Sequence, residues 1–131
     1  MKDCPKGAAI LLLNDSLSLL LLKRRSVAFW MPNKWGLPGG IVEEGEHCVD
    51  AALRETLEEA ALEVTNPRLL SINEHVAIYF ATKYTGEVKI DFEHTDWAWV
   101  SREELGKYDT VPEINTLYEL AVMHERQNRN R

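Results

Sequence analysis

Apolar and polar positions along this chain follow two different periods. Residues 6–13 and 17–24 are apolar runs divided by Asn14, Asp15 and Ser16. Both are too short for helices, so they read as buried strands joined by a tight turn. Residues 69–73 and 75–83 read as two more strands. In the second of these, Val76, Ile78 and Phe80 alternate with Ala77, Tyr79 and Ala81. A turn at Thr85, Gly86 and Glu87 leads into a short strand at 88–90, and residues 97–100 form another, with Trp97 and Trp99 on one face.

The period changes from Cys48 onward, where Ala, Leu, Arg and Glu dominate and neither Gly nor Pro intervenes. At roughly 100° per residue, Val49, Leu53, Leu57, Ala60 and Val64 gather on one side of a helix and Glu55, Glu58 and Glu59 on the other. Ser101 with Glu104 fits a capping box opening a short helix. Thr110 with Glu113 fits a second, with Pro112 near the first turn. The helix that follows is expected to run to about residue 125 and to bury Ile114, Leu117, Leu120 and Ala121. Residues 127–131 are polar and expected to fray. Strands interleaved with helices in 131 residues predict one α/β domain with a single core.

Charge sharpens the picture because it is local. Between Glu43 and Glu63 stand eight acids and one base, Arg54. That window carries seven net negative charges, against six for the whole chain. Glu55, Glu58 and Glu59 repel one another at their helical spacing, with no lysine three or four residues from Glu55. An ordinary solvated helix face is the bland account. Unpaired carboxylates at this density also suit a hard divalent cation, Mg²⁺ or Mn²⁺. Ahead of them, Leu37, Pro38, Gly39 and Gly40 cannot be helical, and adjacent glycines allow close backbone approach to a ligand.

Gly40, five residues, Glu46, seven residues, then Arg54, Glu55, two residues, Glu58 and Glu59 resembles the box of the Nudix hydrolase (MutT-like) family, here spanning 40–62. Two positions depart from it. Thr56 stands where an aliphatic residue is usual, and Ala61 replaces the second glycine, so the helix is expected to extend or turn differently at its end. The resemblance implies an α/β/α sandwich with a mixed sheet between helices. It also implies Mg²⁺-dependent hydrolysis of a nucleoside diphosphate linked to some group X. The ligands would be Glu55, Glu58, Glu59 and the carbonyl of Gly39. Family members take their general base from the box or from a later loop, which leaves Glu58, Glu93 and Asp96 as candidates. Arg54 is read as an internal partner that fixes carboxylate rotamers, and Glu46 as orienting that pair or favouring the helix start.

Substrate readings rest on fewer residues. Phe29, Trp30, Met31 and Trp35 crowd a loop broken by Pro32 and Asn33. As a group they suit a base-stacking wall or a homodimer surface, while packing is the plainer account of each alone. Lys23, Arg24 and Lys34 are placed to meet phosphates. Tyr79 stands near where diadenosine-polyphosphate members of the family carry a tyrosine. A nucleoside or deoxynucleoside triphosphate is the expected substrate. A nucleotide sugar, ADP-ribose or a dinucleoside polyphosphate is the alternative, and a catalytically silent nucleotide-binding domain is the competing class. A pI near 5.2 argues against binding nucleic-acid polymers. The apolar runs are too short to span a membrane, and no signal-peptide plan is visible. Cys4 and Cys48 lie far apart without metal-like spacing, so a reducing cytoplasm is the expected compartment.

Overall fold

The computed structural model describes residues 4–130. The first apolar run forms β1 (Gly7–Leu12) and the second β2 (Leu19–Arg24). The turn between them is closed by Asn14, whose side-chain Oδ1 accepts the backbone N–H groups of Ser16 and Ser18. The two strands meet only at a bridge between Leu13 and Leu19 and then part into different sheets. β1 lies inside a four-stranded mixed sheet. It runs parallel to β7 (Val76–Ala81) and antiparallel to β4 (Gly39–Ile41), and β6 (Arg68–Ile72) pairs with the far edge of β7. β2 lies between β3 (Trp35–Gly36) and β9 (His94–Val100) in an antiparallel sheet, and β5 (Glu63–Thr65) pairs with β8 (Lys83–Thr85).

The alternation of the strands divides the interior into two cores. Ala8, Ile10, Leu12, Leu20, Leu22, Ala77 and Tyr79 face α1 (Cys48–Ala60). Leu11, Leu13, Leu19, Leu21, Ile78 and Phe80 face α2 (Ile114–Arg129). Because successive side chains point to opposite faces, one set of strands feeds both cores. The expected sandwich of strands between helices is the fold that forms.

Several expectations are corrected. Residues 88–90 form no strand. Instead the N–H of Lys89 donates to the carbonyl of Ala60, and that of Asp91 to the carbonyl of Glu59. α1 buries its expected face only in part: Ala60 is buried and Val49 and Leu53 pack against the core, but Leu57 is half-exposed and Val64 lies beyond the helix in β5. The helix buries Cys48, Ala51, Ala52, Thr56, Glu59 and Ala60. Small side chains let the helix lie close to β1 and β4, and the buried Thr56 hydroxyl is satisfied by the carbonyl of Ala52 at 2.8 Å. The helix is not extended past the box. Ala61 takes a left-handed conformation (φ 61°, ψ 27°), and its N–H bonds Leu57.

Neither capping box forms as expected. Glu104 precedes only a 3₁₀ turn at Leu105–Lys107, and Glu113 opens α2 in a left-handed conformation with no side-chain cap. α2 also outlasts the expected end, because Arg129 pairs with the buried Glu125 at 3.0 Å and reaches the carbonyl of Asp15. Within it Leu120 is only half-buried. No helix among the described residues is long and apolar enough to cross a membrane.

Candidate active site

The acidic face of α1 meets the Gly39-Gly40 strand. A side chain at Gly39 would collide with β1, its Cβ falling 2.5 Å from the carbonyl oxygen of Ala8. A Cβ at Gly40 would fall 2.4 Å from the Glu55 carboxylate. Gly39 is therefore required by the close approach of strand to strand, while a side chain at Gly40 would push the flexible Glu55 carboxylate aside. The N–H of Gly39 donates to Glu59 at 3.0 Å, so the backbone group that touches the acid is an N–H.

Arg54 ties the box together. Its Nε and Nη2 reach the two oxygens of Glu46 at 2.8 and 3.1 Å, a bidentate pair. Nη1 lies 3.1 Å from Glu55 and 3.3 Å from Glu58, and Nη2 also donates to the carbonyl of Ile41. The hydrogen bonds from Arg54 hold the Glu46 carboxyl below its ordinary range. Glu46 also accepts the N–H of Glu43. Burial outweighs Arg54 at Glu55 and pushes that carboxyl up.

Glu59 is the unusual acid. It is 4% exposed, and burial, with Glu55, Asp91 and Glu93 adding repulsion, pushes its carboxyl up to about 9. Ligand atoms of Glu59, Asp91 and Glu93 lie within 4.8 Å of one another. The backbone bonds from Lys89 and Asp91 to the end of α1 deliver this loop to the helix. His94 is buried beside it, with Nδ1 2.8 Å from Asp91. Three convergent oxygen donors, one of them buried without a cationic partner among the ion pairs of the described residues, fit a hard divalent cation. Sequence reasoning found Glu93 but missed Asp91 and His94. The signal lay in the acid, aromatic, acid, histidine run at 91–94, but nothing local said that it returned to α1.

Asp96 lies outside this cluster. It is exposed on β9 opposite Lys23 and bonds the N–H of Trp97. Other expected contacts also fall elsewhere. Tyr79 is buried beneath α1 with its hydroxyl 3.2 Å from Cys48. Lys34 pairs with Asp109 at 2.8 Å. Trp35 packs edge-on against Tyr108, with ring centroids 4.9 Å apart. None of the three lines the cleft of about 640 Å³ that opens beside Gly39 and Gly40. Its walls include Phe29, Trp30, Leu37 and Val76, with Arg24 and His94 among its polar groups. Arg24 stacks over Trp30, 5.4 Å from the ring centroid, and bonds that residue's carbonyl. Phe29 is fully exposed and Trp30 half-exposed. The cleft is thus apolar and aromatic, and it shares its glycine edge with the acids.

A NUDIX domain family model matches residues 5–120. The chain is 32% identical over 118 residues to the nucleoside triphosphatase NudI of Escherichia coli, covering 76% of this chain and 83% of that protein. It is 34% identical over 105 residues to the human 8-oxo-dGDP phosphatase NUDT18, covering 73% of this chain but 32% of that protein. The chain spans about half or less of the length of several curated relatives that it matches. The crystal structure of a MutT NUDIX hydrolase from Burkholderia pseudomallei has the same fold, with a TM-score of 0.76, 24% identity and coverage of 91% and 98% of the two chains. Box spacing, sandwich fold and family match agree, and the chain belongs to the NUDIX domain family.

Proposed function

We propose that this protein is a pyrophosphohydrolase that cleaves nucleoside or deoxynucleoside triphosphates to monophosphate and pyrophosphate, with Mg²⁺ as the working cation and Mn²⁺ able to replace it. The observation that carries this reading is the meeting of Glu59, Asp91 and Glu93 beside the Gly39-Gly40 strand at the edge of an aromatic cleft. The relatives named as a nucleoside triphosphatase and an 8-oxo-dGDP phosphatase support a nucleotide substrate.

Glu55, Glu58 and Glu59 would supply the α1 side of the cation site with the carbonyl of Gly39, and Asp91 would close it from the loop. When bound, the cation supplies neutralisation of diphosphate oxygens and Lewis-acid activation of water. Glu93 takes the proton of the attacking water. Its exposure, against the burial of Glu59, favours it for exchanging that proton with solvent. Arg54 and Glu46 hold the carboxylate rotamers. Trp30 stacks the base, a contact of roughly 1–3 kcal/mol, and Arg24 meets the phosphates.

A panel of nucleotides with Mg²⁺, read by product identity, tests this. One monophosphate and one pyrophosphate are expected per triphosphate consumed, with ¹⁸O from water locating the phosphorus attacked. Release of orthophosphate alone, or preference for a sugar nucleotide over every triphosphate, would overturn the substrate class. Glu58→Gln should lower turnover by at least ~10²-fold, and near-normal turnover would remove Glu58 from the site.

A further inference from the structure

A second cluster lies at the other end of α1. Cys4 precedes β1, while His47 caps the helix and Cys48 is its first residue. One ligand atom from each, the two sulfurs and a ring nitrogen of His47, lie within 4.8 Å of one another. Forty-four residues separate the cysteines in sequence, which is why their spacing betrays no metal motif. β1 and α1 bring them together by packing in the same core.

We propose that Cys4, His47 and Cys48 form a binding site for a borderline-soft cation, Zn²⁺, which clamps the segment before β1 to the start of α1. The donor set is two sulfurs and one imidazole, which suits zinc and disfavours the hard cations of the acidic site. A fourth position remains for water. The cluster is roughly three helical turns from Glu59, so the two sites have separate ligands.

Two hydrogen-bonding groups contact the sulfurs. The N–H of Cys48 donates to Cys4 Sγ at 2.9 Å, and this N–H belongs to the positive end of α1. The Tyr79 hydroxyl lies 3.2 Å from Cys48 Sγ. A thiolate only accepts, so in the zinc form Tyr79 is the donor. These are the outer contacts that tune sulfur ligands in metal sites. His47 is exposed and gives a route of entry. Its Nδ1 accepts the N–H of Val49 at 3.1 Å. Ligation by either ring nitrogen ends that bond, directly at Nδ1, or at Nε2 because the ring proton must then move to Nδ1. Coordination releases two thiol protons to solvent and involves no change of oxidation state.

The test uses the full chain, reduced and stripped with a chelator, titrated with Zn²⁺ and separately with Co²⁺. The expected result is one equivalent of Zn²⁺ bound in competition with a chromophoric chelator, with a rise in Tm. Co²⁺ should give a near-ultraviolet thiolate-to-cobalt charge-transfer band, which an oxygen-only site cannot produce. Cys4→Ser should abolish that band and weaken Zn²⁺ by at least ~100-fold, while Mg²⁺-supported hydrolysis is retained. Cys4 is outside the helix, so this variant avoids disturbing the buried Cys48. Three results would overturn the site: a Co²⁺ spectrum without the band, Zn²⁺ affinity unchanged in Cys4→Ser, or no zinc uptake by the fully reduced chain. None bears on hydrolysis, so the active-site reading stands or falls separately.

Discussion

Glu59 shows how one side chain couples stability to chemistry. Its carboxyl ordinarily titrates at 4.5 and is pushed up to about 9 in the fold. Between those values the folded state keeps a proton that the unfolded state gives up. Its contribution to metal-free stability is therefore fully present below 4.5 and is lost as pH rises towards 9. Glu55 is shifted the same way, while the lowered Glu46 acts below 4.5. Melting in chelator should thus fall across this window, and Glu59→Gln should flatten the slope. Parallel slopes in the two proteins would refute this account. Arg54→Lys keeps the charge but loses the fork to Glu46. It should lower turnover by ~10–100-fold, in line with other supports of metal ligands, with little change in KM. A pure KM effect would make Arg54 a substrate ligand.

Elements enter through how α1 ends. Ala61 occupies a left-handed conformation that glycine takes at lower cost. Its carbonyl faces Gly86, where φ is 107° and an added Cβ would lie 2.9 Å from that oxygen. Ala61→Gly should stabilise the protein by ~1 kcal/mol, a Tm rise of roughly 3 °C for a domain of this size. Gly86→Ala should destabilise it. Calorimetry on the two variants checks both signs, and a lower Tm for Ala61→Gly would contradict the strain argument. The same corner explains why the loop carrying Asp91 comes to rest on Glu59, since the carbonyls of Ala60 and Glu59 accept the N–H groups of Lys89 and Asp91.

Across the whole molecule, Trp30 in the loop before β3 and Trp35 at the start of β3 take different parts. Trp30 borders the cleft, whereas Trp35 packs on Tyr108 and joins its backbone to Asp109 and Val111. Trp30→Ala should raise KM more for purine than for pyrimidine triphosphates, since purines offer the larger stacking face. Trp35→Ala should lower Tm without changing that ratio. Steady-state kinetics on the two variants separates the roles, and an equal loss for both base classes in Trp30→Ala would remove the stack.

Box spacing, strand alternation and the local charge excess were legible in the residues themselves. Spacing along a helix and alternation along a strand are local geometry, so they carried Arg54, Glu55, Glu58, Glu59 and both strands of the first turn without a fold. Tertiary structure decided which helix face is buried, because Thr56 could enter the core only by bonding Ala52, and Glu59 only by meeting Gly39. It also decided that Asp91 joins Glu59, that Trp30 and not Trp35 reaches the cleft, and that Cys4 meets Cys48. Those pairings span loops and sheets, where separation in sequence carries no information about distance. The packing of α1 against β1 and β4 sets the pairings of Asp91 and of the cysteines, while the contacts of Trp35 with Tyr108, Asp109 and Val111 set that of the tryptophans.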